Sequence, residues 1–138
     1  MTTKFGATGI VFKEENGKRL FLLLHRCLNW SGWEFPKGGI DEGENAEQAV
    51  LREISEETAL KKISIAKKLP EKVKWSAKGK DYVYAAFLVK AEGNEEVKVG
   101  QKFREHDSFQ WVEAEKAMQM LEYENQKELF GKALKELG

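Results

Sequence analysis

The stretch GGIDEGENAEQAVLREISEETAL, residues 38–60, decides how this chain is read. From Ala46 to about Thr58 it contains neither Gly nor Pro, and Ala46, Ala49, Val50 and Ile54 recur at helical spacing, which predicts an amphipathic helix. Asn45 is placed to cap its start, Gln48 can reach back as in a capping box, and Glu44 and Glu47 suit the positive helix end. At roughly 100° per residue, Glu53 falls at about 0°, Glu57 near 40° and Glu56 near 300°, among Ala46, Ala49 and Val50. Gln48, Arg52 and Ser55 lie on the other side, where the solvated residues of an ordinary amphipathic helix belong. A charged surface helix is the plainer explanation of any single Glu pair. Here three carboxylates share one half-buried turn, where mutual repulsion would drive protons onto them unless a cation is bound. Hard oxygen donors select magnesium, with manganese the alternative, over zinc.

The same residues resemble the Nudix box, G-x5-E-x7-R-E-U-x-E-E-x-G-U with U apolar. Gly38, Glu44, Arg52, Glu53, Ile54, Glu56, Glu57 and Leu60 match in register, and Ala59 stands where the pattern has Gly. The resemblance implies an α/β fold, the Nudix-type α/β/α sandwich with a mixed β-sheet, and a hydrolase of nucleoside diphosphates linked to another moiety. It also implies site roles. Glu53, Glu56 and Glu57 would be metal ligands, completed by the backbone carbonyl at Lys37 or Gly38. Arg52 and Glu44 would orient those carboxylates. Glu105 and Glu53 compete as the base that takes a proton from water. The box glycine ends the helix in a left-handed conformation, which Ala59 would adopt at a cost on the order of 1 kcal/mol. The alternative is that the helix runs on to Leu60 and Lys61.

With 138 residues the chain is expected to form one domain, 1–138. Its hydrophobic content of 41% and charged content of 33% are those of a soluble globular protein. No apolar run approaches the ~18 residues of a membrane span, and MTTKFGATGIVF at the start reads as a strand rather than a signal peptide. A single cysteine, Cys27, permits no internal disulfide and suits a reducing compartment, so the cytoplasm is expected and the thiol reads as inert. The 23 basic and 23 acidic residues balance, which argues against nonspecific attachment to DNA or to an anionic membrane.

Outward from the box, residues 4–13 and 18–26 are strand-like, and Asn16-Gly17 between them is a hairpin signal. Leu20 to Leu24 is continuously apolar, as in a strand buried on both faces. LNWSGWEFPKGG, residues 28–39, reads as a loop whose Trp33 and Phe35 are either core aromatics or part of a recognition segment. After the box come two strands, about Ile63 to Trp75 with Pro70 weakening its middle, and Tyr82 to Lys90, joined by a turn at Lys78-Gly79. Lys72, Lys74, Lys78 and Lys80 surround Trp75 in sequence. They are either guards of a sheet edge or a phosphate-binding strip, with Trp75, Tyr82 or Tyr84 stacking on a base. Residues 92–104 read as a loop, Phe109 to Trp111 as a short strand, and Ala114 to Leu121 and Gln126 to Leu137 as helices.

Two further segments resemble those of the dinucleoside polyphosphate hydrolases within the family. One is Trp33 to Gly39, which would place Lys37 at the phosphates; the other is Glu105 to Trp111, which would supply Glu105 as a further catalytic carboxylate. The resemblance thus implies a nucleotide substrate, a diadenosine tetraphosphate first, an RNA 5′ end second, and a nucleoside triphosphate or nucleotide sugar after these. A noncatalytic nucleotide-binding module is the reading from another class. Such a module would be expected to lose box ligands, whereas Glu44, Arg52, Glu53, Glu56 and Glu57 all persist.

Overall fold

A computed structural model describes residues 2–100 and 104–138. The strands are β1 (Thr2–Glu15), β2 (Lys18–Arg26), β3 (Gly32–Glu34), β4 (Lys37–Gly39), β5 (Ile63–Ala77), β6 (Lys80–Ala91) and β7 (His106–Val112). The helices are α1 (Ala46–Thr58), α2 (Ala114–Met120) and α3 (Glu124–Leu137). The sheet runs β3-β2-β1-β6-β5, with β4 also pairing β1 and β7 also pairing β2. It is mixed, because β1 and β6 are parallel while the other pairings are antiparallel. Asn16 and Gly17, at φ 53° and 78°, make the tight turn between β1 and β2.

Alternation along the central strands sends side chains to two cores. Ile10, Phe12, Phe21 and Leu23 pack with Leu129 and Phe130 of α3 and Ala117 of α2. Ala7, Val11, Leu22 and Leu24 pack with Ala49, Val50 and Ile54 of α1. The result is the expected sandwich, with α1 on one face, α2 and α3 on the other, and β2 buried on both sides.

Helix α1 spans the expected residues, and its capping box is formed. Asn45 Oδ1 accepts from the Gln48 N–H at 2.8 Å, and Gln48 Oε1 accepts from the Asn45 N–H at 2.9 Å. It does not run on to Lys61. Ala59 takes the left-handed conformation at φ 69° and ψ 4°, and its N–H donates to Ser55 O. The segment expected to be loop before the box contains β3 and β4, three residues each, too short for periodicity to reveal. Strand β5 continues through Pro70 because it is an edge strand whose register shifts between Lys68 and Lys72, across that residue. The loop expected over 92–104 is partly tied down: Val97 is buried and the Lys98 N–H donates to Thr58 O at 2.8 Å. Residues 101–103 of that segment lie outside the described residues.

Candidate active site

Arg52 organises the carboxylates of α1. Its Nε and Nη2 donate to the two oxygens of Glu44 at 2.7 and 2.9 Å, and its Nη1 donates to Glu53 at 2.7 Å and to Glu56 at 3.1 Å. Nη2 also donates to the Gly39 carbonyl at 2.9 Å, which ties the helix to β4. This fork of charge-assisted bonds holds the Glu44 carboxyl down at about 2, helped by the Asp41 backbone N–H. Gly38 is required by close approach: a Cβ there would stand 2.0 Å from the Glu53 carboxylate carbon.

Glu57 faces inward and is only 7% exposed. Both its oxygens are buried without a hydrogen-bond partner. Burial pushes its carboxyl well above the usual range, and the neighbouring Glu53 and Glu105 carboxylates push it further, against the opposing charge of Lys37. A buried, unsatisfied carboxylate flanked by others is a donor set that a divalent cation would satisfy. Glu53, Glu56 and Glu57 offer only oxygen, which fits a hard ion.

On the side of Glu57 away from Arg52, β2, β3 and β7 end together. Leu24 pairs with Glu34 and Arg26 with His106, so Glu34, Arg26 and His106 share the α1 face of the sheet. Glu34 accepts from His106 Nε2 at 2.8 Å and from Arg26 Nη1 at 3.3 Å, with Lys37 Nζ 3.8 Å away. Arg26 Nη1 also stands 3.5 Å from Glu105, and its guanidinium lies over Trp30 at 4.0 Å. Glu57, Glu105 and His106 each present a donor atom within 4.8 Å of the others.

Lys37 leads from these charges to a cavity of about 310 Å³ on the α3 side, lined by Trp30, Phe35, Trp75, Tyr84, Tyr123 and others. Its ammonium is 5.5 Å from the Trp30 ring and 5.7 Å from the Trp75 ring. Trp75 meets Tyr84 edge-on at 4.7 Å and stacks on Tyr82 at 5.0 Å and 7°. Burial raises the Tyr84 hydroxyl to about 12. A second cleft, of about 600 Å³, touches Phe5, Asp41, Glu53, Tyr82 and Tyr84.

The structure therefore brings Gly38, Lys37, Arg52, Glu53, Glu56, Glu57 and Glu105 together and sets Trp75 and Tyr84 in the cavity beside them. It sets Lys72 and Lys74 apart from the aromatics. Trp75 pairs with Tyr82 and Val73 with Tyr84, so Lys72 and Lys74, at the alternate positions, point to the opposite face. Lys80 pairs with Ala77 at the hairpin end, two residues before Tyr82 and on the same face of β6 as Tyr82 and Tyr84. Phe35 is a core residue, and Trp33 packs against the same core. Sequence reasoning missed Glu34 and Arg26. The one available signal was Glu34 itself, a carboxylate set between Trp33 and Phe35 in an otherwise apolar run.

A family model described as the NUDIX domain matches residues 3–133. A bis(5′-nucleosyl)-tetraphosphatase (asymmetrical) from Caenorhabditis elegans is 31% identical over 116 residues, 83% of this chain and 82% of that protein. An RNA pyrophosphohydrolase from Campylobacter jejuni subsp. doylei is 29% identical over 100 residues, 66% of this chain and 64% of its own. In a solved structure of a C. elegans Ap4A hydrolase binary complex the similarity covers 97% of each chain, with a TM-score of 0.84 and 28% identity.

Proposed function

This chain belongs to the Nudix family of pyrophosphohydrolases, and from that premise we propose that it cleaves dinucleoside tetraphosphates asymmetrically, with magnesium as the cation and manganese as the alternative. The observation that carries this reading is the position of Lys37, its charge acting on Glu57 at one side and its ammonium beside Trp30 and Trp75 at the other. A polyphosphate lying along Lys37 would reach the carboxylates at one end and deliver a base to Trp75 and Tyr84 at the other. Glu53, Glu56 and Glu57, with the Gly38 carbonyl, would hold the cation, and Arg52 and Glu44 keep Glu53 and Glu56 in place. Bound there, the cation neutralises phosphate charge and favours ionisation of a water. Glu105 and Glu53, on either side of Glu57, are the two carboxylates placed to accept the proton of the attacking water. Water attacks phosphorus directly, one anhydride P–O bond breaks, and a nucleoside triphosphate and a monophosphate leave. The exposed thiol of Cys27 suits the reducing cytoplasm.

An RNA 5′ end is the second reading. It draws support from the RNA pyrophosphohydrolase relatives and from the second cleft, which reaches Glu53 and shares Tyr84 with the cavity. The test compares kcat/KM for diadenosine tetraphosphate and for a 5′-triphosphorylated oligoribonucleotide with magnesium, products being resolved by anion-exchange chromatography. ATP and AMP in equal amounts, with at least a tenfold preference for the dinucleotide, are expected. A preference for RNA moves the assignment to the second reading, and turnover of neither overturns both.

A further inference from the structure

His106 has no part in the scheme above, yet it is 4% exposed and held by a buried carboxylate. Glu34 Oε2 lies 2.8 Å from His106 Nε2 and 3.3 Å from Arg26 Nη1, and Lys37 Nζ stands 3.8 Å from its other oxygen. A carboxylate set between two cations accepts, so the ring proton is assigned to Nε2, and Nδ1 is the nitrogen left to offer a lone pair. Nδ1 faces Glu57 Oε1 at 3.8 Å. That is too long for a hydrogen bond, so His106 leaves the Glu57 oxygens as unsatisfied as before. Glu105 supplies a third donor atom, all three lying within 4.8 Å of one another. Such donors are close enough to share one ion, whose bonds to nitrogen and oxygen run about 2.0–2.2 Å.

We propose that His106 Nδ1, Glu57 and Glu105 form a nitrogen-containing cation position beside the all-oxygen one of Glu53, Glu56 and Glu57, with Glu34 fixing the imidazole. The proposal rests on the reading of Glu57 as a cation ligand. Glu34–His106 has the form of a carboxylate–histidine pair, in which the outer carboxylate sets the tautomer and raises the basicity of the inner nitrogen. An imidazole also changes which ion is preferred. Magnesium favours carboxylates and retains its waters, whereas a mixed nitrogen and oxygen set gains affinity along the series from manganese to cobalt. The position therefore takes Mn2+ or Co2+ ahead of Mg2+.

The test uses Mn2+ alone with the substrate-free protein and reads directly bound nitrogen by pulsed electron paramagnetic resonance, with free Mn2+ titrated in parallel. The native protein is expected to show a 14N coupling. His106→Gln keeps a donor for Glu34 near the Nε2 position but removes Nδ1, and should lose the coupling. Glu34→Gln releases the tautomer and should weaken this Mn2+ site by about 10- to 100-fold. The native spectrum decides the matter even if a variant fails to fold. Bound Mn2+ without nitrogen coupling overturns this proposal and leaves the all-oxygen site standing. No Mn2+ binding at all overturns both.

Discussion

Helix α1 ends on Ala59 at φ 69°, a conformation that its side chain disfavours. Replacing Ala59 with Gly should therefore stabilise the protein, and the size of the gain can be worked out. An L-residue in the left-handed region costs roughly 1–2 kcal/mol. The wider freedom of Gly in the unfolded chain returns about 0.4–1 kcal/mol of that. The net gain is about 0.8 kcal/mol. With an unfolding entropy of roughly 2.1 cal/mol/K per residue, the 138 residues carry roughly 290 cal/mol/K, so Tm should rise by about 3 °C. Calorimetry of the metal-free protein reads the shift, and urea unfolding should show a higher midpoint at an unchanged m-value. Because the cap N–H still reaches Ser55 O and no carboxylate moves, kcat should stay within about twofold of the parent. An unchanged or lowered Tm would refute the reasoning and show that the partly buried Ala59 methyl makes contacts worth more than the backbone strain.

Glu56→Gln and Glu57→Gln should each abolish most turnover at saturating magnesium while the fold persists; retained turnover would remove them from the ligand set. Because the Glu57 carboxyl is raised in the folded, metal-free protein, its contribution to stability is present below the unfolded value near 4.5 and is lost as pH rises. Melting of Glu57→Gln across that range should accordingly fall less steeply with pH than melting of the parent. Arg52→Ala should lower kcat more than it raises KM, since the guanidinium contacts Glu44, Glu53, Glu56 and Gly39; a change confined to KM would place it on the substrate. Trp75→Ala or Tyr84→Ala should weaken substrate binding about tenfold, base stacking being worth roughly 1–3 kcal/mol, while Lys72→Ala, on the opposite face of β5, should leave kinetics unaltered. The reverse order would return recognition to the lysine strip.

What the sequence made legible depended on how local the physics was. The extent of α1, its capping box and the Asn16-Gly17 turn rest on contacts within a few residues, and each formed as expected. The pairing of Glu34 with His106 spans 72 residues, and only the fold brings β3 and β7 to the same end of β2. The faces of Lys72 and Lys74 were hidden for a different reason. Lys72 and Lys74 adjoin Trp75 in the chain but alternate with it across the sheet, a period-two relation that was available from the strand assignment and outweighed proximity in sequence. The choice at Ala59 between a left-handed cap and a longer helix turned on backbone dihedrals that side-chain patterns do not encode.

The parallel pairing of β1 with β6, from Thr2 with Lys80 to Phe12 with Lys90, has a consequence for how the molecule is made. At about 5–20 residues per second, a ribosome needs roughly 3–13 s to add the residues that separate the two strands. During that interval the β1–β2 hairpin can close, but Val11, Leu22 and Leu24 have only part of their eventual cover, which includes Phe87 and Val89 of β6. Over that interval the edge of β1 that later pairs with β6 has its backbone groups unpaired, the kind of edge that invites pairing with another chain. Glu105 and His106 are translated later still, so a chain stalled near residue 100 would carry the whole box helix and none of β7.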